Sequence, residues 1–304
     1  MNHTVVFYHD HCTDGFAAAY VVYKRYGHNG VAYIPCSYND EPPLHSVYEG
    51  KRVIIVDFSF PLPVMQEMER RAEHITWLDH HKTAFEMLGK DVNEVFSVFD
   101  AGQDIILDNN RSGALIAFDW FFGRSAEGEA PTIIRHIDDR DRWQFAIPGS
   151  REFHASLQLL KPWSFEQWDQ INASFIESEA NYEAFIAKGA AALQVEQRQI
   201  TSAALKAYDC TISFENQQGE LQTAKGLAIN STVHMSEVGH ELANASGTYG
   251  LIYYIDKDTS VKCSLRSNGD YDVSVIAKFF GGGGHRNAAG FTTSFDVLKQ
   301  FISE

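Results

Sequence analysis

The sequence predicts an α/β protein: an N-terminal parallel sheet with helices on both faces, a helical linker, and a smaller C-terminal α/β domain. Three observations predict it. Short apolar runs alternate with helical patterns through the first half, which implies βαβ units. Arg52–Phe58 is a continuous apolar run ending on a carboxylate, as in a parallel strand buried on both faces. After Tyr208 the texture changes to short strands separated by turns. In order, Thr4–Tyr8 alternates into a strand, and an Ala-rich helix follows over Phe16–Tyr26. Val31–Pro35 is the second strand and Arg52–Phe58 the third. Pro63–Glu73 is helical, and Ile75–Leu78 is again a strand. Ser112 is a good N-cap for a helix reaching Phe122. Pro131 opens a helix to Ile137, with the charge cluster Asp138–Arg142 after it. From Phe165 to about Ala207 the pattern is helical with few breakers. Strands at Cys210–Phe214, Gly250–Ile255 and Val261–Leu265 complete the chain. The expected domains are 1–180 and 208–304, with 181–207 as linker.

Composition narrows the class. With 304 residues the chain is long enough for two domains of ordinary size. No stretch approaches the roughly 20 apolar residues that span a bilayer, so no membrane partner is expected. Met1 to Phe7 lacks the basic region and cleavage site of a signal peptide. Cys12, Cys36, Cys210 and Cys263 are scattered, with no Cys-x-x-Cys pair, which argues for a reducing, cytoplasmic setting. The net charge is −15 and no Lys/Arg cluster stands out. A protein that tracks long nucleic acid needs a basic stripe for its phosphates, so a nucleotide partner should be short. A homodimer is compatible with the sequence.

Chemistry concentrates where apolar strands end. His9 and Asp14 follow the first, Asp57 the third, and Asp79-His80-His81 the next. Asp138-Asp139 offers a further carboxylate pair after a helix. One carboxylate at a strand end is usually a turn former, but in a parallel sheet these ends share one edge and can converge. Carboxylates with one or two imidazoles suit Mn2+ or Mg2+ better than a thiolate-rich zinc site. Two such ions, roughly 3.5–4 Å apart, would clamp a phosphoryl group. Asp57 is placed to bridge them, with His81 left as general acid or phosphate ligand.

These motifs resemble the DHH phosphoesterase superfamily with its DHH-associated C-terminal domain, over essentially the whole chain. The family's first motif reads as His9 to Gly15, the second as Asp57 and the third as Asp79-His80-His81. The fourth resembles Ile137 to Trp143, and the C-terminal signature is matched by Gly282-Gly283-Gly284-His285-Arg286-Asn287-Ala288-Ala289-Gly290. The resemblance implies a two-domain Mn2+ enzyme that hydrolyses phosphoesters of small nucleotides in a cleft between its domains. It implies that Asp14, Asp57, His80 and Asp139 hold one ion and that His9 and Asp57 belong to another, with Asp79 and His81 as the catalytic pair. One departure stands out: Cys12 occupies a position where many members carry aspartate. It leaves four readings: a weaker site, a site completed by Asp10, a thiolate ligand, or a small packed residue.

In the second domain, glycines let the backbone approach an anion closely. Gly283, Gly284 and His285 are therefore expected to bind substrate, with Arg266 as a bidentate phosphate ligand. Ser112, at a helix N-terminus, is expected to cap the helix, to bind phosphate, or both. Trp143, Phe279 and Phe280 could stack on a base but fit a core equally well. His11, His136, His154, His234 and His240 read as ordinary histidines. The expected function is a metal-dependent phosphodiesterase releasing mononucleotides from very short oligonucleotides such as linear pGpG. The alternatives are pAp phosphatase, cyclic-dinucleotide hydrolysis, and a non-catalytic nucleotide-binding regulator.

Overall fold

The computed structural model describes residues 3–38, 40–123, 130–215, 218–256 and 258–302. The chain divides into two compact units, Met1–Leu193 and Gln194–Glu304. The boundary falls inside one long helix. The first unit runs β1 (Thr4–His9), α1 (Thr13–Tyr26), β2 (Val31–Cys36), α2 (His45–Tyr48), β3 (Arg52–Val56), α3 (Leu62–Arg71), β4 (His74–Asp79) and α4 (Lys82–Met87). It continues with β5 (Phe96–Phe99), β6 (Gln103–Leu107), α5 (Gly113–Phe122), α6 (Thr132–Asp141), α7 (Ser150–Gln158), α8 (Phe165–Glu177) and α9 (Glu179–Ala204).

Its sheet has the order β2-β1-β3-β4-β6-β5, all parallel except the antiparallel β5. The strand period of two sorts side chains to opposite faces. Val6, Ile54, Val56 and Leu78 pack with residues of α1, α5, α6 and α7. Val5, Phe7, Val53, Ile55, Ile75 and Trp77 pack on the other face with Tyr48 of α2, Met65 and Met68 of α3, and Phe85 of α4. Helices therefore cover both faces, which is why these strands read as continuous apolar runs. β5 and β6 were not anticipated from the sequence; they form a hairpin on the far side of β4. At the opposite edge, the Asp10 amide donates to the Cys36 carbonyl, so Cys36 faces β1. Pro35, one residue earlier, presents its hydrogen-free nitrogen to the open side.

The second unit contains the end of α9 and then β7 (Tyr208–Glu215), β8 (Leu221–Asn230), α10 (Met235–Ser246), β9 (Tyr249–Ile255), β10 (Val261–Ser267), α11 (Val273–Phe279), β11 (Gly283–His285), β12 (Ala288–Thr293) and α12 (Phe295–Phe301). Its mixed sheet has the order β11-β12-β10-β9-β8-β7, with only β8–β9 parallel. One face packs on α11 and α12 through Leu251, Leu265, Ile276 and Leu298. The other packs Ile229 and Ile252 on Val238 and Leu242 of α10 and Ile200 of α9. Among the described residues no helix is long and apolar enough to cross a membrane.

Candidate active site

The parallel strands of the first unit deliver their C-terminal ends to one edge, the usual location of chemistry in an open α/β sheet. Asp57 lies at the centre. It follows β3 with a left-handed backbone (φ 52°), a conformation that Asp tolerates better than most residues. It is 1% exposed, and neither carboxylate oxygen has a hydrogen-bond donor among the described residues. Imidazoles surround it. His80 Nε2 is 3.1 Å from Oδ1, His81 Nδ1 is 3.8 Å from Oδ1, and His9 Nδ1 is 3.7 Å from Oδ2.

Ligand-type atoms fall into groups lying within 4.8 Å of one another: His9, Cys12 and Asp57; Asp57, Asp79, His80 and His81; and Asp14, His80 and Asp141. His80 Nε2 stands 3.7 Å from both Asp14 Oδ2 and Asp141 Oδ2. Burial, then the charges of Asp57 and Asp141, push the Asp14 carboxyl well above the ordinary range. Burial, then Asp57, raises Asp141 despite the opposing imidazole of His80. Burial works against charge on His80, but Asp57, Asp141 and Asp14 outweigh it and raise the imidazole well above its ordinary value. Burial would also raise Asp57, yet His80, His9 and His81 together hold it below the carboxylate range. Crowded buried carboxylates that repel one another, and a central carboxylate without donors, fit a divalent cation. Asp14, Asp57, His80, Asp141 and His9 would hold it.

Asp79 has a different task. It is fully buried, and its Oδ1 accepts from the amides of His80 (2.7 Å) and His81 (3.2 Å) and from His81 Nδ1 (2.7 Å). Ser59 donates its hydroxyl to Oδ2 and accepts from Trp77 Nε1 at 3.1 Å. Burial opposes ionisation of Asp79, but His81 above all offsets it and leaves the carboxyl below its ordinary value. Asp79 is therefore an acceptor, and Nδ1 is the protonated nitrogen of His81. This buried chain of hydrogen bonds orients His81.

Two expectations are corrected. Asp139, expected among the ligands, belongs to none of these groups of ligand-type atoms; its oxygens accept from the Ala146 amide (2.7 Å) and the Ile147 amide (3.1 Å) and fasten the loop after α6. Asp141 stands beside His80 instead. The charge cluster does not follow the helix: Asp138 to Asp141 form the last residues of α6. Two helical positions turn the side chain by about 200°, so Asp139 and Asp141 face apart. Asp138, three before Asp141, shares its face and accepts from the Ser112 amide at 2.7 Å. Recognition of the cluster as helix would have favoured Asp141.

Ser112 is fully buried as the N-cap of α5, its Oγ accepting from the Leu115 amide at 3.3 Å. The amides expected to meet a phosphate are taken by Asp14, which accepts from Gly113 (2.7 Å) and Ala114 (3.0 Å). A substrate role for Ser112 has no support in this arrangement. Gly113 has a steric cause as well: a Cβ there would lie 2.5 Å from the Cβ of Asp57.

Tyr38 was missed by sequence reasoning. It lies two residues past β2, half exposed, stacked on Phe58 (4.8 Å, 29°) and edge-on to His9 (5.2 Å) and His81 (6.0 Å). Its position just beyond a strand end was the available signal.

In the second unit, Arg266 and His285 both lie opposite Ala288, one on β10 and the other on β11, so they share a row and a face of that sheet. Arg266 donates to the Leu265 carbonyl at 2.9 Å and to Ser236 Oγ at 3.0 Å. Gly283 and Gly284 belong to β11 rather than to a loop. Gly284 has φ 135°, and a Cβ there would meet the Ala288 carbonyl at 2.5 Å, so the tight hairpin itself requires glycine. Glu196, His234 and Glu237 also cluster. There His234 bridges Glu196 (3.1 Å) and Gln199 (2.7 Å), tying α9 to the start of α10.

Comparison with known proteins agrees with this architecture. Residues 223–304 match the DHHA1 domain. Uncharacterized protein R106 of Acanthamoeba polyphaga mimivirus is 32% identical over 307 residues, covering 95% of this chain and 67% of that protein. A 3',5'-cyclic-nucleotide phosphodiesterase of Helicobacter pylori is 28% identical over 109 residues, covering 33% of this chain and 28% of that one. The crystal structure of RecJ in complex with Mn2+ from Thermus thermophilus shares the fold, with a TM-score of 0.51 at 12% identity, over 99% of this chain and 51% of RecJ. The chain belongs to the DHH phosphoesterase superfamily and carries a DHHA1 domain at its C-terminal end.

Proposed function

We propose that the protein is a Mn2+-dependent phosphodiesterase that hydrolyses short oligonucleotides, including linear dinucleotides such as pGpG, to mononucleotides. The observation that carries this reading is Asp57: a buried carboxylate whose two oxygens have no hydrogen-bond donor among the described residues, shared by neighbouring groups of ligand atoms. The RecJ structure, solved with Mn2+ on the same fold, supports the choice of ion. A bound divalent cation supplies an activated water and polarises a phosphoryl oxygen.

The chain's own residues do the rest. Asp57 and His80 anchor the centre, and the α5 amides keep Asp14 aimed at it. Asp79 fixes Nδ1 of His81, leaving Nε2 to pass a proton to the departing oxygen. Arg266 and His285, on one face of the DHHA1 sheet, are the proposed grip on a phosphate remote from the scissile bond. The acidic balance of the chain, −15, favours short substrates over long ones.

The test is incubation of the full chain with pGpG, pApA, pAp and cyclic dinucleotides, with Mn2+, with Mg2+ and with excess chelator, followed by separation of products. Mononucleotide release from the linear dinucleotides, abolished by chelator and restored best by Mn2+, is expected. Faster turnover of pAp or of cyclic dinucleotides would move the substrate assignment to those classes. Retention of nucleotide without any product would make the protein a binding module and overturn the enzymatic reading. Arg266→Ala should cost ~2–5 kcal/mol in kcat/KM on dinucleotides if its phosphate contact is desolvated, and should spare a small activated phosphodiester. Equal losses on both would return Arg266 to a structural role.

A further inference from the structure

We propose that Cys12 is itself a cation ligand, so that His9, Cys12 and Asp57 form a mixed nitrogen–sulfur–oxygen site preferring softer divalent ions to Mg2+. The inference rests on the metal-dependent reading above and concerns which atoms bind, not which substrate is cut.

Three observations converge. The sulfur lies with an imidazole nitrogen of His9 and a carboxylate oxygen of Asp57 in a group spanning less than 4.8 Å. His9 Nδ1 and both oxygens of Asp57 are buried without a hydrogen-bond partner among the described residues. Cys12 is also unlike its three counterparts. Cys36, Cys210 and Cys263 are buried within apolar clusters, where sulfur packs as a small hydrophobe. Cys12 stands instead at the N-cap of α1, outside the apolar clusters and beside His9 and Asp57, where a sulfur placed only for packing gains nothing.

Near neutral pH a free thiol is mostly S–H. As the cation arrives, the S–H proton leaves for solvent and the sulfur lone pair forms the bond to the metal, a net gain of one positive charge in the site. Thiolate with imidazole and carboxylate suits Co2+, Zn2+ or Cd2+, whereas Asp14, His80 and Asp141 make an oxygen-rich partner suited to Mn2+ or Mg2+. The two halves of the centre would then differ in ion preference.

The experiment uses the full chain, stripped with chelator and titrated with Co2+ in the absence of substrate. Wild type should develop a near-ultraviolet thiolate-to-cobalt absorption band that excess Mg2+ does not bleach. Cys12→Ser and Cys12→Asp should lose the band. Cys12→Asp should still bind Co2+ by calorimetry, and should bind Mg2+ more tightly than wild type. The other three cysteines remain in both variants and serve as an internal control. Absence of the band in cobalt-loaded wild type, or an equal band in either variant, overturns the proposal. A band without dinucleotide hydrolysis overturns the function proposed above and leaves the ligand assignment standing; hydrolysis without a band does the reverse.

Discussion

At the scale of single residues, the site rests on what Asp57 and Asp79 each lack and possess. Asp57 has no hydrogen-bond donor among the described residues, whereas Asp79 Oδ1 alone takes three. Asp57→Asn should therefore abolish tight divalent-cation binding in calorimetry, and turnover with it. Asp79→Asn should keep the cation but release His81. A loss of orientation at a supporting position of this kind costs about 10–100-fold in activity or affinity, and here it should fall on kcat with KM little changed. An unchanged kcat would show that His81 holds its orientation without Asp79. Tyr38 invites a separate measurement. Its half-exposed ring stands beside His9 and His81, and a base stacked on an aromatic ring is worth about 1–3 kcal/mol. Tyr38→Ala should raise KM for dinucleotides by the corresponding factor, about 5- to 150-fold, and leave a base-free phosphodiester untouched; equal effects on both would mean that Tyr38 only buttresses the imidazoles.

At the scale of elements, α5 and α6 carry the site from the side opposite the strands. Gly113 in α5 permits contact with Asp57, so Gly113→Ala should cost about 1–3 kcal/mol by overpacking. Thermal unfolding and cation titration should both register it, and a neutral effect would show that Asp57 can move aside. On α6, His136 is stacked on Phe153 (4.2 Å, 9°) and bonded to Ser150 (2.8 Å) and Tyr182 (2.9 Å). Burial pulls its imidazole down from 6.5 to about 4. The unfolded chain therefore binds the extra proton between about pH 6.5 and pH 4, and the fold loses stability as pH falls through that window, by at most about 3 kcal/mol. His136→Gln should flatten the melting temperature against pH there; an unchanged slope would assign the loss to other groups. These elements also show what a sequence can disclose. His9, Asp57 and Asp79 were legible because charged groups closing apolar strands have little reason to be there. Asp141 was not, because the choice among Asp138, Asp139 and Asp141 depends on helical phase, and the sequence ended the helix at Ile137, before the cluster. The role of Ser112 was half legible: capping is local, but Asp14, which claims the neighbouring amides, lies 99 residues away from Gly113. The hairpin β5–β6 escaped because its strands are short and half exposed, with little periodicity to read.

At the scale of the molecule, every group proposed to hold a cation lies in the unit Met1–Leu193, while Arg266 and His285 belong to Gln194–Glu304. A ligand stabilises the unit that binds it, by about 2.7 kcal/mol at a hundredfold excess over Kd. In calorimetry, Mn2+ should move the transition of the first unit and leave that of the DHHA1 unit in place; a joint shift would mean that the units unfold as one. Sheet edges set another whole-molecule property. An open strand edge is a template for further strands, from another copy or from a stray peptide. Along β2 that template is broken at Pro35, whose nitrogen offers no hydrogen to an incoming chain, and β5 at the other margin is only four residues long. The sheet of the first unit thus ends itself on both sides: it resists growth into fibrous aggregates during folding, when its strands are most exposed, and an association between copies through this unit has to be built from side chains on helices and loops rather than from a shared backbone ladder.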